Sequence, residues 1–153
     1  MKKLLLISTL FFALFMSSCD LIKDSDDDSK ATVENPFSDQ LDFLEVGCFG
    51  NLSTEEVNFM VKVKNIGSAA SFYFGWIDAT GSTGYTYSTA SMGYYGTVKM
   101  AKDETVMIDY ASDSKLIKNV RLSEEKFKSI KIEVSVNGST KTVEFRNVNI
   151  VWE

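Results

Sequence analysis

The chain has 153 residues, a net charge of −5 and no histidine. Without histidine it lacks the usual general base near neutral pH, which excludes serine–histidine and cysteine–histidine nucleophilic sites and histidine-based zinc sites. Its acidic charge repels phosphate backbones and argues against nucleic-acid binding. There are only two cysteines, Cys19 and Cys48, and Cys48 alone lies within the predicted domain. The folded part must therefore be held together by its core rather than by a disulfide.

The first nineteen residues have the layout of an export signal. Lys2 and Lys3 precede an uncharged, mainly apolar run over residues 4–16, and two serines separate that run from Cys19. A bilayer span needs about 20 apolar residues, so residues 1–18 are predicted to be a cleaved signal peptide. The Met-Ser-Ser-Cys tetrapeptide ending at Cys19 resembles the lipobox of bacterial lipoproteins. That resemblance implies that Cys19 becomes the first mature residue and carries a lipid anchor; the alternative is an ordinary cleaved signal.

Residues 19–38 are predicted to be the lipidated cysteine and an acidic, disordered tether. The acids of this run are Asp20, Asp24, Asp26, Asp27 and Asp28. Such a segment buries too little apolar surface to offset the entropy of ordering it. It also resembles the acidic stretch that follows the anchor cysteine in Bacteroidota-type surface lipoproteins. The resemblance implies a protein held in the outer membrane by its lipid and displayed on the cell surface, with the periplasmic face as the alternative.

Residues 39–153 are predicted to form a single domain of β-strands, because their apolar residues recur with a period of two. A first strand is expected within 40–49, and two more between 84 and 100. The other strands are marked by alternating apolar residues: Val57, Phe59, Val61 and Val63; Phe72, Phe74 and Trp76; Val106, Ile108 and Tyr110. Trp76 is expected to lie in the core, and residues 78–81 are predicted to form a turn.

The strongest local pattern is a hairpin at Asn137-Gly138, the favoured pair for a type I′ turn. With a two-residue loop, Ile132 faces Val143 and Ile130 faces Phe145, so that apolar pairs share one face. Beyond these pairs the apolar residues change phase, to Val148, Ile150 and Trp152. A bulge or bend is therefore predicted near Arg146-Asn147, where the chain could move to another sheet.

These elements predict an all-β fold of about seven to nine strands. Even strand spacing without long helices favours an antiparallel β-sandwich, with a small antiparallel β-barrel as the alternative. The size and strand count resemble an immunoglobulin-like β-sandwich, although the paired cysteines of antibody domains are missing. Cys48 is expected to be a small buried hydrophobe. Only residues 123–126 suggest a helical turn, with Leu122 and Phe127 beneath it.

A tyrosine-rich segment over residues 81–97 is the main candidate for ligand binding. It contains only Gly, Ser, Thr, Ala, Met and Tyr, and it carries no charge. Tyrosine offers a broad contact area at low entropic cost, and Ser and Gly adapt around it. The predicted ligand-binding residues are Tyr85, Tyr87, Tyr94 and Tyr95. The alternative is that half of these tyrosines fill the core and the rest border a sheet.

No catalytic, metal or cofactor site is predicted. Glu55 and Glu56 are adjacent acids and candidates for the carboxylate pair of a glycosidase, but neighbours on a strand face opposite ways, and a turn or strand-start location explains them better. The run that begins at Asp78 fails as an EF-hand, because Thr83 and Thr89 stand where glycine and glutamate are required. An Asx-type turn is the simpler interpretation of Asp78, and a looser calcium site built from Asp78 and loop carbonyls is the alternative.

The sequence therefore predicts a non-catalytic binding module, exported and anchored to the membrane by its amino-terminal lipid. Its expected partner is a glycan or a surface protein. The alternative is a structural subunit of a cell-envelope or surface assembly, which would be joined through edge strands. Exposed aromatic residues in a row would favour the first hypothesis, and a long open edge strand would favour the second.

Overall fold

The computed structural model describes residues 20–21, 30–89, 93–112 and 115–153, the first two by their backbone alone. The predicted signal peptide and Cys19 lie outside these residues. The described chain is all-β, as predicted, and contains no helix that could cross a membrane. Its strands are β1 (Asp20–Leu21), β2 (Thr32–Glu34), β3 (Leu41–Asn51), β4 (Glu56–Asn65), β5 (Ala70–Gly81), β6 (Thr86–Ser88), β7 (Gly96–Met100), β8 (Thr105–Asp109), β9 (Lys126–Val136) and β10 (Ser139–Trp152).

The strands form one curled, barrel-like sheet in the order β6-β5-β9-β10-β3-β4-β8. β1 adds to β3, β2 to β10 and β7 to β5. Eight strands, β3 to β10, lie within residues 39–153, in agreement with the predicted number. The sheet is mixed, because β3 and β10 run parallel. The prediction of a purely antiparallel sheet is wrong at this pair, because β10 continues past its bend and pairs with the free edge of β3.

β10 joins two halves of the curled sheet. The β5 half consists of β5, β6, β7 and β9 with the first part of β10; the β3 half consists of β1, β3, β4 and β8 with the last part of β10. Asn147 lies between the two parts with a φ of 56°. The buried residues change phase there, from Phe145 to Val148. The predicted bend is thus confirmed, while the pairing with β9 keeps a single register.

The hairpin between β9 and β10 forms as predicted. Both turn residues have a positive φ, 50° at Asn137 and 76° at Gly138, as a type I′ turn requires. Val143 pairs with Ile132 and Phe145 with Ile130. All four of these side chains are buried. The turn therefore sets the register that places these side chains on the core side of the sheet.

The core lies inside the curl. Phe145 from β10 contacts Phe43 of β3 and Phe59 of β4, with ring centroids 5.3 and 5.5 Å apart. Cys48 is buried, as expected. The open side of the curl is bridged by Ile117, which pairs with both Val57 and Thr89. The four apolar residues predicted for β4 are fully buried, namely Val57, Phe59, Val61 and Val63.

The fold reaches further towards the amino terminus than residue 39. β2 pairs with residues 144–146 of β10, and Ala31 and Phe37 are buried in the core. β1 pairs with Val46 and Glu45 of β3. These parts of the predicted tether belong to the sheet because they supply backbone partners and apolar side chains. The most acidic part, residues 22–29, lies outside the described residues.

Two local predictions are wrong. Residues 78–81 continue β5, because β6 and β9 pair with them on both sides, and the turn comes later, with Gly84 at a φ of 91°. Residues 123–126 form no helical turn. The backbone N–H of Glu124 instead donates to the Arg121 carbonyl at 2.9 Å, and β9 begins at Lys126. Leu122 is exposed and Phe127 is buried, so only Phe127 packs as expected.

Candidate functional site

A bulge in β5 turns Trp76 out of the core. Phe72 and Phe74 face inward, and simple alternation would place Trp76 with them. The register between β5 and β9 instead shifts between Phe74 and Ile77, so Ile77 is fully buried and Trp76 is 44 % exposed. The core position predicted for Trp76 is therefore wrong. β-Bulges of this kind re-aim side chains and are enriched beside functional sites.

Three backbone groups at the bulge have partners outside the β5–β9 ladder. The Tyr110 hydroxyl donates to the Gly75 carbonyl at 2.7 Å from inside the core. On the opposite side, the Ile77 N–H donates to Thr89 Oγ1 at 3.1 Å. The Tyr95 N–H donates to the Phe74 carbonyl at 3.1 Å. Burial raises the pKa of the Tyr110 phenol, which keeps its hydroxyl protonated as a donor. The bulge is thus a well-supported part of the fold.

Three aromatic residues lie together on the outer face of the β5 half; we call Tyr73, Trp76 and Tyr94 the aromatic strip. Tyr73 alternates with the buried Phe72 and Phe74 and so faces outward. Its ring contacts that of Tyr94, with centroids 6.0 Å apart and planes inclined by 35°. Tyr94 is 40 % exposed. Trp76 follows Tyr73 beyond Gly75, where an added Cβ would lie 3.2 Å from the Glu133 carbonyl oxygen and 3.7 Å from Tyr73 Cε1.

Polar side chains surround the aromatic strip. Ser135 and Thr97 lie opposite Tyr73 on the two neighbouring strands. Just beyond Trp76, Asp78 of β5 lies opposite Lys131 of β9 in the ladder. A shallow groove of about 300 Å³ continues from there, lined by Asp78, Ala79, Thr80, Thr86, Tyr87, Ser88, Ser129 and Lys131. Exposed aromatic rings bordered by hydroxyl, carboxylate and ammonium groups can bind a ligand that is apolar on one face and rich in hydroxyls at its edges.

We expect Tyr110→Phe to destabilise the protein by about 1–3 kcal/mol, because the buried Gly75 carbonyl then loses its donor. Urea unfolding measures this loss. Tyr95→Phe is the matched control, since its ring lies 5.6 Å from that of Tyr110 and is only partly buried. The control should change stability by less than about 0.5 kcal/mol. Equal effects of the two substitutions would contradict the role given to Tyr110.

The four tyrosines predicted to bind ligand do not share one face. Tyr95 packs against Phe74 and Tyr110, with centroids 6.4 and 5.6 Å apart. Tyr87 packs against Phe127 at 6.0 Å. Tyr85 lies at the far end of β5, where the Arg121 guanidinium stacks 3.3 Å from its ring centroid. The structure therefore places Tyr94 alone of the four in the aromatic strip.

The Glu124 carboxylate is fully buried and fastens the turn between β5 and β6. Its Oε2 accepts from Ser82 Oγ at 2.7 Å and from the Thr83 N–H at 3.0 Å. Its Oε1 accepts from Tyr87 OH at 2.9 Å and also from Thr83 Oγ1. Burial would raise the pKa of Glu124, but these hydrogen bonds outweigh it and lower the pKa to about 2. The group is therefore an anion that holds structure in place, unsuited to proton transfer at neutral pH.

The acids singled out in the sequence lie elsewhere. Glu55 is exposed with a φ of 56°, and Glu56 forms an ion pair with Lys118 at 3.3 Å. Asp78 supplies the carboxylate that lines the groove beside the aromatic strip. Among the described residues, no three His, Cys, Asp or Glu side chains are grouped so that they could hold a metal ion.

Sequence reasoning missed Tyr73 and Trp76 as surface residues. The available signal was Gly75, because a glycine inside a strand often marks a bulge. A bulge at that position exchanges the two faces of the strand beyond it. Applied to Phe72–Ile77, this rule would have placed Ile77 in the core and Trp76 on the surface.

No family model matches the chain, and no curated protein and no solved structure matches it.

Proposed function

We propose that this protein is a non-catalytic binding module that holds a glycan on the aromatic strip. The observation that carries the proposal is the exposed position of Trp76, which the bulge at Gly75 turns away from the core. Burying a large aromatic side chain in the core stabilises a fold, so an aromatic side chain on the surface gives up that stabilisation. Exposed aromatic residues grouped on one face often mark a binding site. Trp and Tyr are the residues that most often dominate binding energy at interfaces.

The shape of the site supports a chain-like ligand. Tyr73 and Trp76 are separated by at most about 10 Å along β5, and the groove at Asp78 and Lys131 extends the surface in the same direction. An extended sugar chain has apolar C–H faces that stack on aromatic rings and hydroxyls that reach polar side chains. The surface is open rather than closed over a ligand end, which favours contact with the interior of a glycan chain.

We further propose that the module is a lipoprotein anchored through Cys19 in the outer membrane and displayed on the cell surface. The support is the amino-terminal sequence: a basic start, an apolar run too short to span a bilayer, and the Met-Ser-Ser-Cys tetrapeptide. A lipid anchor would concentrate the aromatic strip at the membrane, where many copies can bind one polysaccharide together.

The alternative of a structural subunit has less support. Assembly through edge strands favours long, open edges, whereas the short strands added at the described edges are two to five residues long, namely β1, β2, β6, β7 and β8. Short edge strands resist pairing with another chain. A protein ligand on the aromatic strip remains the competing outcome of the test below.

A glycan array followed by affinity electrophoresis tests the proposal. The soluble form should begin at Asp20, so that β1 and β2 are retained. We expect Trp76→Ala to weaken binding of the glycan by about 30-fold, or about 2 kcal/mol, as for aromatic side chains that dominate other interfaces. Its melting temperature should remain close to that of the wild type, because Trp76 contributes little to the core.

Tyr85→Ala is the matched control. Tyr85 is as exposed as Trp76, at 48 %, but stacks on Arg121 away from the aromatic strip. It should leave glycan affinity unchanged. Loss of binding in Tyr85→Ala with full binding in Trp76→Ala would move the site to the tyrosine-rich segment. Failure of every glycan to bind the folded wild type would remove the glycan from the proposal.

A further inference from the structure

The exposed apolar side chains of the described residues are unevenly placed. Two of them, Trp76 and Tyr94, belong to the aromatic strip, and Ile66 lies alone at the opposite end from the group considered next. The remaining three gather where β3, β5 and β10 end and β4 and β9 begin. We call this group the apolar end; its members are Leu52, Tyr85 and Leu122, which are 51, 48 and 47 % exposed.

Hydrogen bonds hold the loops of the apolar end together. The Leu52 N–H donates to the Glu153 carbonyl at 2.9 Å. Trp152 Nε1 donates to the Glu124 carbonyl at 2.8 Å, which fixes the loop that carries Leu122. Trp152 is only partly buried and lies between these loops. The apolar end therefore presents leucines, a tyrosine and a tryptophan edge on rigid supports.

The position of β1 shows that the amino-terminal side of Asp20 points towards the apolar end. Asp20 pairs with Val46 and Leu21 with Glu45 in antiparallel register. The amino-terminal side of Asp20 therefore faces the carboxyl end of β3, which leads into Leu52. Val46 is five residues from Asn51, so Asp20 lies within about 17 Å of the apolar end.

We propose that the apolar end docks on the bilayer that holds the lipid of Cys19. The inference rests on the lipid anchor put forward under the proposed function, since Cys19 directly precedes Asp20. Leucines at loop tips with neighbouring Tyr, Trp and Arg side chains suit the boundary between headgroups and acyl chains. A lipid alone leaves the domain free to rotate relative to the bilayer. The lipid together with an inserted apolar surface would fix the orientation of the domain.

The acidic groups of this end indicate how it would dock. Glu55, Glu125 and Glu153 are exposed at this end, together with the exposed base Arg121 on Tyr85, so its charge does not favour attraction to anionic lipid. Docking through apolar insertion should therefore be no stronger on anionic than on neutral bilayers. In this orientation the aromatic strip, on the outer face of the β5 half, lies to the side of the molecule and faces the medium.

The two tryptophans provide a built-in comparison, because Trp152 lies at the apolar end and Trp76 on the aromatic strip. The full lipidated protein is reconstituted into phosphatidylcholine vesicles, with and without phosphatidylglycerol, that contain lipids brominated near the headgroup. Trp76→Phe reports Trp152, and Trp152→Phe reports Trp76. We expect bromine to quench Trp152 at least about twofold more than Trp76, since an interfacial surface inserts by about 5–10 Å.

The double variant Leu52→Asp and Leu122→Asp should bring the quenching of Trp152 down to that of Trp76, while the lipid still holds the protein on the vesicles. Equal quenching of the two tryptophans in a lipidated wild type, or quenching of Trp152 that the double variant leaves intact, would overturn docking alone. A wild type whose intact mass shows no lipid would overturn the anchor and this inference together.

Discussion

Glu124→Ala should lower the free energy of unfolding by about 3 kcal/mol, because several donors lose the buried anion that accepts from them. Those donors are the Ser82 and Thr83 hydroxyls, the Thr83 N–H and the Tyr87 phenol. For a domain of this size the melting temperature should fall by about 10 °C. Calorimetry measures the change. Glu125→Ala is the matched control, because its side chain is exposed on the next residue.

The control should stay within about 0.5 kcal/mol of the wild type. Equal losses in the two variants would show that the Glu124 carboxylate does not fasten the turn between β5 and β6. Glycan affinity should fall less than in Trp76→Ala, because the carboxylate lies at the end of β5 near Gly81 and touches the proposed binding surface only through Tyr87 in the groove.

The same carboxylate makes stability depend on pH. Its pKa is lowered from 4.5 in the unfolded chain to about 2 in the fold, so the unfolded state binds the proton first on acidification. The stabilisation is complete above about pH 4.5 and is lost as the pH falls towards 2, a total of about 3 kcal/mol. In Glu124→Gln this part of the acid dependence should be absent. Parallel acid-unfolding curves for the Glu124→Gln variant and the wild type would contradict the assignment.

Deleting residues 151–153 should cost about 3–5 kcal/mol, because it removes a packed tryptophan and the end of a strand. The Trp152 ring lies against Gly50 so closely that a Cβ there would come within 2.3 Å of it. The deletion also removes the parallel pairing of β10 with residues 49 and 50 of β3. Thermal unfolding followed by circular dichroism measures the loss.

Trp152→Phe is a smaller change in this region. It retains a smaller aromatic ring near Gly50 and loses the bond from Nε1 to the Glu124 carbonyl together with part of the indole contact, so a loss of about 1–2 kcal/mol is expected, less than for the deletion. If deletion of residues 151–153 left the melting curve unchanged, the last residues of β10 would contribute nothing to the stability of the curled sheet.

Much of the fold follows from local patterns in the sequence. Alternation in β4 and β9 fixes which side chains face the core, and Asn137-Gly138 fixes the register of the hairpin, because its turn admits only one pairing. The bend at Asn147 can be predicted because the apolar residues change from odd to even positions there. The parallel pairing of β10 with β3 cannot be predicted from the sequence, because it depends on how far the chain continues beyond the bend and on which strand has an unpaired edge there.

The candidate site was less predictable for a related reason. A period-two pattern assumes an unbroken ladder, and one extra residue at Gly75 reverses the faces of Trp76 and Ile77. The burial of Glu124 has the same long-range character, since its partners lie 37 to 42 residues away in the chain. The tyrosine-rich composition correctly drew attention to Tyr94, but composition alone could not show that Tyr87 and Tyr95 turn towards the core.

The aromatic strip is tested most directly by the emission of Trp76 itself. Trp152→Phe leaves Trp76 as the only tryptophan of the two in the chain, and the variant is titrated with the glycan that binds best on the array. We expect the emission to move to shorter wavelength and quenching by acrylamide to fall, both saturating at the dissociation constant of the glycan. A saturated protein whose Trp76 emission and acrylamide quenching stay unchanged would contradict binding at the aromatic strip.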